Sequence, residues 1–342
     1  MARCLVDGAQ LTGQIGTHRY GLLRSGLGRS ARMHAFLPLR PTPVSQSNPV
    51  FAARRQFLLA GATLLIAACT PGELVRPAAP TPLTTSAAKP RIALALGGGA
   101  ARGFAHIGVI KVLESHGIVP DMVVGTSAGA VVGALYAGGF DPFQMQKLAQ
   151  QLDEKVFADW TLGGRGFLKG EALQEFINQH LSRRVIERLN KPFAAIATDL
   201  QSGERIVFRT GDTGMAVRAS AAVPGVFQPT PIKGRNYVDG GLTSPVPVRA
   251  AREMGADIVI AVDISARPEG QPTDSLTSVM WQTITIMGGA ISKNELKEAD
   301  IVIRPALPYV KSWDFTARNE AMLEGERAAQ QALPALRQKL GR

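Results

Sequence analysis

The sequence predicts an α/β fold of three layers, in which a mostly parallel central sheet lies between two layers of helices. Three observations predict it. Short continuous apolar runs end in glycine, segments with helical spacing follow them, and the two alternate along the chain from residue 91 onward. A run of about four to eight apolar residues without polar alternation suits a strand buried on both faces. Alternation of such strands with helices implies a parallel sheet covered by its own crossovers.

The elements follow in order. Arg91-Ile92-Ala93-Leu94-Ala95-Leu96 is the first strand run, ending in glycines. Residues 104–116 place Phe104, Ile107, Val109, Ile110 and Leu113 at helical spacing and stop at Gly117. Met122-Val123-Val124 is a second strand, ended by Gly125. The Ala-, Gly- and Val-rich stretch from Ser127 to Ala137 predicts a second helix with side chains small enough to pack closely on a sheet. Further strands are expected at 193–198, 205–209, 257–263 and 301–304. Further helices are expected at 142–152, 171–182, 245–254, 275–298 and 317–340. The C-terminal segment 306–342 ends in a charged amphipathic helix. Packing across the sheet domain is its favoured reading, and a membrane-surface role is the alternative.

Composition excludes several classes. The net charge of +11 invites a nucleic-acid partner, but residues 1–69 hold eight Arg, no Lys and one acid, Asp7. That leaves 30 basic and 26 acidic residues for 70–342, scattered and without a basic run interleaved with aromatics; no nucleic-acid partner is expected. Two cysteines, Cys4 and Cys69, exclude a disulfide framework in a chain that loses the first of them, and exclude a metal site built from thiolates. No metal or cofactor is expected.

Residues 57–68 read FLLAGATLLIAA, twelve residues without charge behind Arg54-Arg55. A helix of that length rises about 18 Å, short of a bilayer core of about 30 Å, and matches the apolar region of a signal peptide. Ile66-Ala67-Ala68-Cys69 resembles a bacterial lipobox. The resemblance implies cleavage before Cys69, lipidation of its thiol, and an exported, membrane-anchored lipoprotein on the periplasmic side of a bacterial envelope. Arg54-Arg55-Gln56-Phe57-Leu58-Leu59 also resembles a twin-arginine export signal, although Ala53 and Leu59 depart from its flanks. Residues 1–49 lack any signal-peptide pattern, so initiation nearer Met33 or Val50 is expected. The domain plan is a leader at 1–69, a Pro-, Ala- and Thr-rich tether at 70–90, a folded domain at 91–305, and the helical segment at 306–342.

Gly125-Thr126-Ser127-Ala128-Gly129 fits G-x-S-x-G, with an apolar strand before it and an apolar helix after it. A serine on so sharp a turn needs neighbours two away without side chains. At a helix N-terminus it also meets the positive end of the helix dipole. Gly97-Gly98-Gly99-Ala100-Ala101-Arg102-Gly103 lies between the first strand and the first helix. A dinucleotide fingerprint fails there because Arg102 stands where glycine is required, and no Gly-Lys-Ser/Thr ending makes a phosphate loop. A glycine turn with exposed backbone N–H groups at Gly97, Gly98 and Gly99 suits an oxyanion hole. Arg102 has two open readings: support of the loop, or attraction of an anionic head group.

A Ser–acid–His triad is disfavoured by the histidines, which are His18, His34, His106, His116 and His180. None follows residue 180, so no acid in the C-terminal third precedes a catalytic histidine. His106 is read as a structural residue that could reach the glycine loop, and His180 as part of a solvated helix face. A carboxylate tuned by burial can act as base instead. The best candidate is Asp239, in Tyr237-Val238-Asp239-Gly240-Gly241, although such a turn by itself is usually only a turn.

In order and spacing, Gly97 to Gly103, Gly125 to Gly129 and Asp239-Gly240-Gly241 resemble the three signatures of patatin-like phospholipases. Ala197-Thr198-Asp199-Leu200 with Gly203-Glu204, Ala219-Ser220 to Pro224 with Phe227 and Pro229, and Gly255-Ala256-Asp257 to Asp263 are similar to the bacterial branch. The likeness spans about residues 91–305. It implies a patatin-like fold, Ser127 as nucleophile, Asp239 as its base, an oxyanion hole around Gly98–Gly99, and a phospholipid, lysophospholipid or simple acyl ester as substrate. Ser244 before Pro245 departs from the family's usual Asn. Two other functions fit the same residues: a catalytically idle lipid-binding lipoprotein, and an acyltransferase that uses the same site.

Overall fold

The computed structural model describes residues 89–152, 159, 167–269, 273–311 and 314–341. Cys69, the apolar run 57–68, the paired arginines and nearly all of the tether lie outside the described residues.

The described chain is an eight-stranded sheet with helices on both faces, the three-layer α/β/α arrangement expected. Its strands are β1 (Ile92–Leu96), β2 (Met122–Thr126), β3 (Phe193–Asp199), β4 (Arg205–Phe208), β5 (Thr230–Ile232), β6 (Arg235–Asp239), β7 (Ile258–Val262) and β8 (Ile301–Ile303). They lie in the order β5-β6-β3-β2-β1-β7-β8, and β4 pairs with β3 off this path. Pairings among β1, β2, β3, β7 and β8 are parallel, whereas β4, β5 and β6 enter antiparallel. Every residue of β1, β2, β3 and β7 is buried, as parallel strands covered on both faces must be.

The helices are α1 (Phe104–Ser115), α2 (Ala128–Ala137), α3 (Pro142–Gln151), α4 (Glu171–His180), α5 (Thr213–Ser220), α6 (Val248–Glu253), α7 (Leu276–Glu295) and α8 (Arg318–Lys339). Strand alternation sorts them into layers. Ile92, Leu94 and Leu96 join the core formed with α1, α2 and α8, while Ala93 and Ala95 join the one formed with α6. Large side chains on one face and alanines on the other let α6 lie close to the sheet. Truncating a fully buried Leu94 to Ala is expected to cost about 2–5 kcal/mol.

Most elements fall within a few residues of their predicted bounds. Three were not predicted: α5, β5 and β6. The last two form a hairpin of three and five residues, too short and too mixed to stand out as apolar runs. The segment expected as a helix at 245–254 is helical only over Val248–Glu253, because Pro245 and Pro247 break its start. The C-terminal α8 packs on α1 at a glycine crossing: a Cβ on Gly108 would stand 2.0 Å from the Met322 carbonyl oxygen, and one on Gly325 2.0 Å from that of Ala105. His180 is not on a solvated face. It is half-buried, its ring stands 4.3 Å from that of Phe176, and its Nδ1 contacts the Phe176 carbonyl at 2.7 Å.

Candidate active site

The sheet register builds the site. Thr126, the last residue of β2, pairs with Ile196 of β3. The next residue of β3, Ala197, pairs with Asp239 at the end of β6. Strand β3 thus acts as a ruler that sets Ser127, directly after Thr126, beside Asp239. Both are largely buried, and the Ser127 side chain lies near enough to the Asp239 carboxylate to favour its ionised form.

Ser127 is not the first residue of α2 but its N-cap, at φ 53° and ψ −119°. That conformation is costly for any residue with a Cβ, of order 1–3 kcal/mol, and persists only where the surroundings enforce it. Here they do. A Cβ at Gly125 would lie 2.4 Å from the Gly129 carbonyl oxygen, and one at Gly129 2.1 Å from that of Leu96, so side chains are excluded at both flanks of the elbow. The Ser127 N–H donates to the buried Ser220 Oγ at 2.9 Å, which fixes the turn from the end of α5.

Asp239 is fixed at every backbone position. Its N–H donates to the Ala222 carbonyl at 2.9 Å, and its carbonyl accepts from Thr198 Oγ1 at 3.0 Å. Its Oδ1 accepts from the Gly241 N–H at 2.6 Å. Burial raises its pKa to about 6, against the lowering effect of the Ser127 and Gly241 hydrogen bonds. A carboxylate so placed is a stronger base than one in water, yet is still ionised at neutral pH.

The glycine loop is less uniform than expected. Gly97 N–H donates to the Val262 carbonyl at 3.0 Å and Gly98 N–H to the Pro245 carbonyl at 2.9 Å. Both donors are used by the fold. The Gly99 N–H has no such partner among the described residues. Gly98 lies against the nucleophile, for a Cβ there would be 3.3 Å from Ser127 Cβ. His106 reaches the loop as a brace: it is buried, and its Nε2 donates to the Gly97 carbonyl at 2.8 Å. Burial lowers its pKa to about 4, against the raising effects of that bond and of Asp263. Arg102 is buried and donates to the carbonyls of Ile264 (3.0 Å) and Val310 (3.4 Å), the loop-supporting alternative of its two readings.

A second polar clamp escaped the sequence reading. Ser244 donates its N–H to the Gly240 carbonyl at 2.8 Å and accepts at its own carbonyl from Thr126 Oγ1 at 2.8 Å. Its Oγ donates to both carboxylate oxygens of buried Glu295, at 2.9 and 2.8 Å. Ser244 therefore ties the neighbour of Ser127 to the neighbour of Asp239. The only sequence signal for Glu295 is a lone acid at the end of a helix whose one other charge is Lys293.

Two clefts flank the pair without being lined by Ser127 or Asp239. The larger, about 1370 Å³, opens beside the glycine loop between Arg102, Ile264, Trp281, Arg304 and Val310. The smaller, about 300 Å³, lies between α7, at Ile284, Met287 and Gly288, and the Asp239 turn, at Val238, Gly241 and Leu242.

Fold and site together define an α/β protein with a serine on a strand-to-helix elbow beside a buried aspartate. This chain matches the model of the patatin-like phospholipase family over residues 94–252. It is 36% identical over 201 residues to an uncharacterised NTE family protein of Mycobacterium tuberculosis, covering 58% of this chain and 56% of that one. It is 32% identical over 232 residues to human patatin-like phospholipase domain-containing protein 6, covering 64% of this chain and 17% of that one. The chain thus spans about half the length of the mycobacterial relative. Among solved structures, VipD from Legionella pneumophila is similar with a TM-score of 0.41 at 14% identity, covering 72% of this chain and 67% of that one. Among the described residues no helix is long and apolar enough to cross a membrane.

Proposed function

We propose that this protein is a serine acyl-ester hydrolase of the phospholipase, lysophospholipase or esterase type, acting through a Ser127–Asp239 dyad. The observation that carries the reading is the strained Ser127 set by the sheet register beside a buried Asp239 whose pKa lies near 6. Asp239 takes the hydroxyl proton as Ser127 Oγ attacks the ester carbonyl. The oxyanion is held by the free Gly99 N–H and by the Ala128 N–H, which has no partner within its helix. Asp239 then gives the proton to the leaving alcohol, and in the second half-reaction it deprotonates the water that releases the acyl group. The donors expected at Gly97 and Gly98 are already committed, so these residues shape the hole rather than fill it.

Fluorophosphonate labelling with mass-spectrometric location of the adduct tests the reading. An adduct on Ser127, absent after heat denaturation and absent in Asp239→Asn, is expected. Well-folded protein that takes no adduct at Ser127 would count against it. The substrate reading, a phospholipid or simple acyl ester at a membrane surface, draws on the family. The anchor reading draws on Ile66 to Cys69 and is tested separately: palmitate incorporation should disappear in Cys69→Ala.

A further inference from the structure

Helix α7 wears its apolar face on the outside. Leu276, Val279, Met280, Ile286 and Met287 are five of the eleven large hydrophobic side chains that stand exposed among the described residues, Leu276 at 78% and Met287 at 59%. At about 100° per residue they fall, with exposed Thr283 and Ala290, within an arc of about 120°. The other side of the helix is turned inward, where Ser292 and Glu295 are buried.

Three features of this face select its partner. Residues 275–292 carry no charge over eighteen positions. The one hydroxyl on the stripe, Thr283 Oγ1, is folded back onto the Val279 carbonyl at 2.9 Å, so the stripe offers no free polar side chain. A protein partner would find about one hydrogen bond per 100–200 Å² to make, whereas hydrocarbon demands that none be left open. Cations outnumber acids around the face. Lys293 and Lys297 are exposed past its C-terminal end with Glu298. Arg267, Arg304 and Lys311 line the large cleft beside Trp281 and Gln282 together with Glu269 and Asp314, Arg304 being paired with Asp263. The face also runs to the small cleft beside the Asp239 turn, which Met287 borders with Val238, Gly241 and Leu242.

We infer that the outer face of α7 is a bilayer-docking surface, which seats its apolar stripe among the acyl chains of an anionic phospholipid leaflet and opens the cleft at Met287 toward them. The inference rests on the acyl-hydrolase reading for its purpose, not for its geometry. A helix lying in the interface with apolar side chains down and cations at its rim binds through buried area and attraction to anionic lipid.

The test uses the full chain carrying Cys4→Ser and Cys69→Ser, with an environment-sensitive dye on Met280→Cys or, as control, on Leu323→Cys of α8. Phosphatidylglycerol/phosphatidylcholine vesicles should shift the emission of the dye to the blue at 280 and leave it unchanged at 323. In parallel, Met280→Glu/Ile286→Glu should lower hydrolysis of vesicle phospholipid at least about tenfold while turnover of a soluble short-chain ester is kept. No blue shift at 280, or vesicle hydrolysis unimpaired by the two glutamates, overturns the inference. A vesicle-free dimer that the glutamates split, measured by light scattering, assigns the face to a second copy and also overturns it. A parent chain that turns over neither ester nor phospholipid sinks the hydrolase reading instead, and the dye still reports on the face.

Discussion

Replacing Asp239 by Asn should separate chemistry from stability in opposite directions. The carboxyl moves from an ordinary 3.8 to about 6 on folding, because burial opposes its charge more than its hydrogen bonds favour it. A rise of about 2 units corresponds to about 3 kcal/mol. With the folded value above the unfolded one, the folded protein binds the proton more tightly. The associated stability is complete below about pH 3.8 and is lost as pH climbs through 6. At pH 7.5 the parent protein carries an ionised buried carboxylate that Asn does not, while Asn still offers one oxygen to the Gly241 N–H. Urea unfolding across pH 4 to 7.5 should show the stability of Asp239→Asn, relative to the parent, growing by about 2 kcal/mol. His106 shifts the other way, from 6.5 to about 4, so its contribution is present above 6.5 and lost as pH falls. It is common to both proteins and cancels in the difference. Turnover should fall by about 10²–10⁴, the usual contribution of a general base. In the parent it should rise with a single ionisation near 6. A stability difference that stays flat with pH, or a turnover within tenfold of the parent, would refute the assignment of Asp239 as a buried, tuned base.

Three other outcomes follow from the geometry. Ser127→Gly should be more stable than Ser127→Ala by about 1 kcal/mol or more, because only glycine relaxes at φ 53°; denaturant midpoints decide this, and equal midpoints would show no strain. His106→Gln can still donate to the Gly97 carbonyl but does not titrate, so the loss of stability between pH 6.5 and 4 should shrink by about 3 kcal/mol in thermal melts across that range. Ser244→Ala strips the buried Glu295 carboxylate of its hydroxyl donor and should cost about 1–3 kcal/mol. Burial already raises the Glu295 pKa to about 7, so the defect should be larger at pH 8.5 than at pH 6, which paired melts will read.

Much of the fold was legible because its central strands are buried on both faces and therefore read as unbroken apolar runs. β1, β2, β3 and β7 were each found within two residues. The antiparallel edge was not, since Thr230–Ile232 and Arg235–Asp239 carry Pro, Arg and Asn and have no run to find. Glycines flanking Ser127 were legible for the same reason that they are needed: an elbow this tight leaves no room for a Cβ. Ser220 and Glu295 were not legible as parts of the site, because a buried polar partner has no period and no fixed distance along the chain. Nothing local links residue 127 to 220, or 244 to 295.

The sequence by itself determined the order of the buried strands and of most helices, the tight serine turn, and the aspartate that ends a short apolar stretch before two glycines. These are local properties of chain stiffness, side-chain volume and hydrophobic period. Only the tertiary structure decided that Asp239 reaches Ser127, because that contact depends on β3 pairing with β2 up to Ile196 and with β6 from Ala197. It also decided which glycine N–H stays free, what Arg102 and His106 hold, and that the apolar side of α7 faces outward. Each of these follows from which surfaces are desolvated when the layers close, and that is set by contacts between residues tens to hundreds of positions apart.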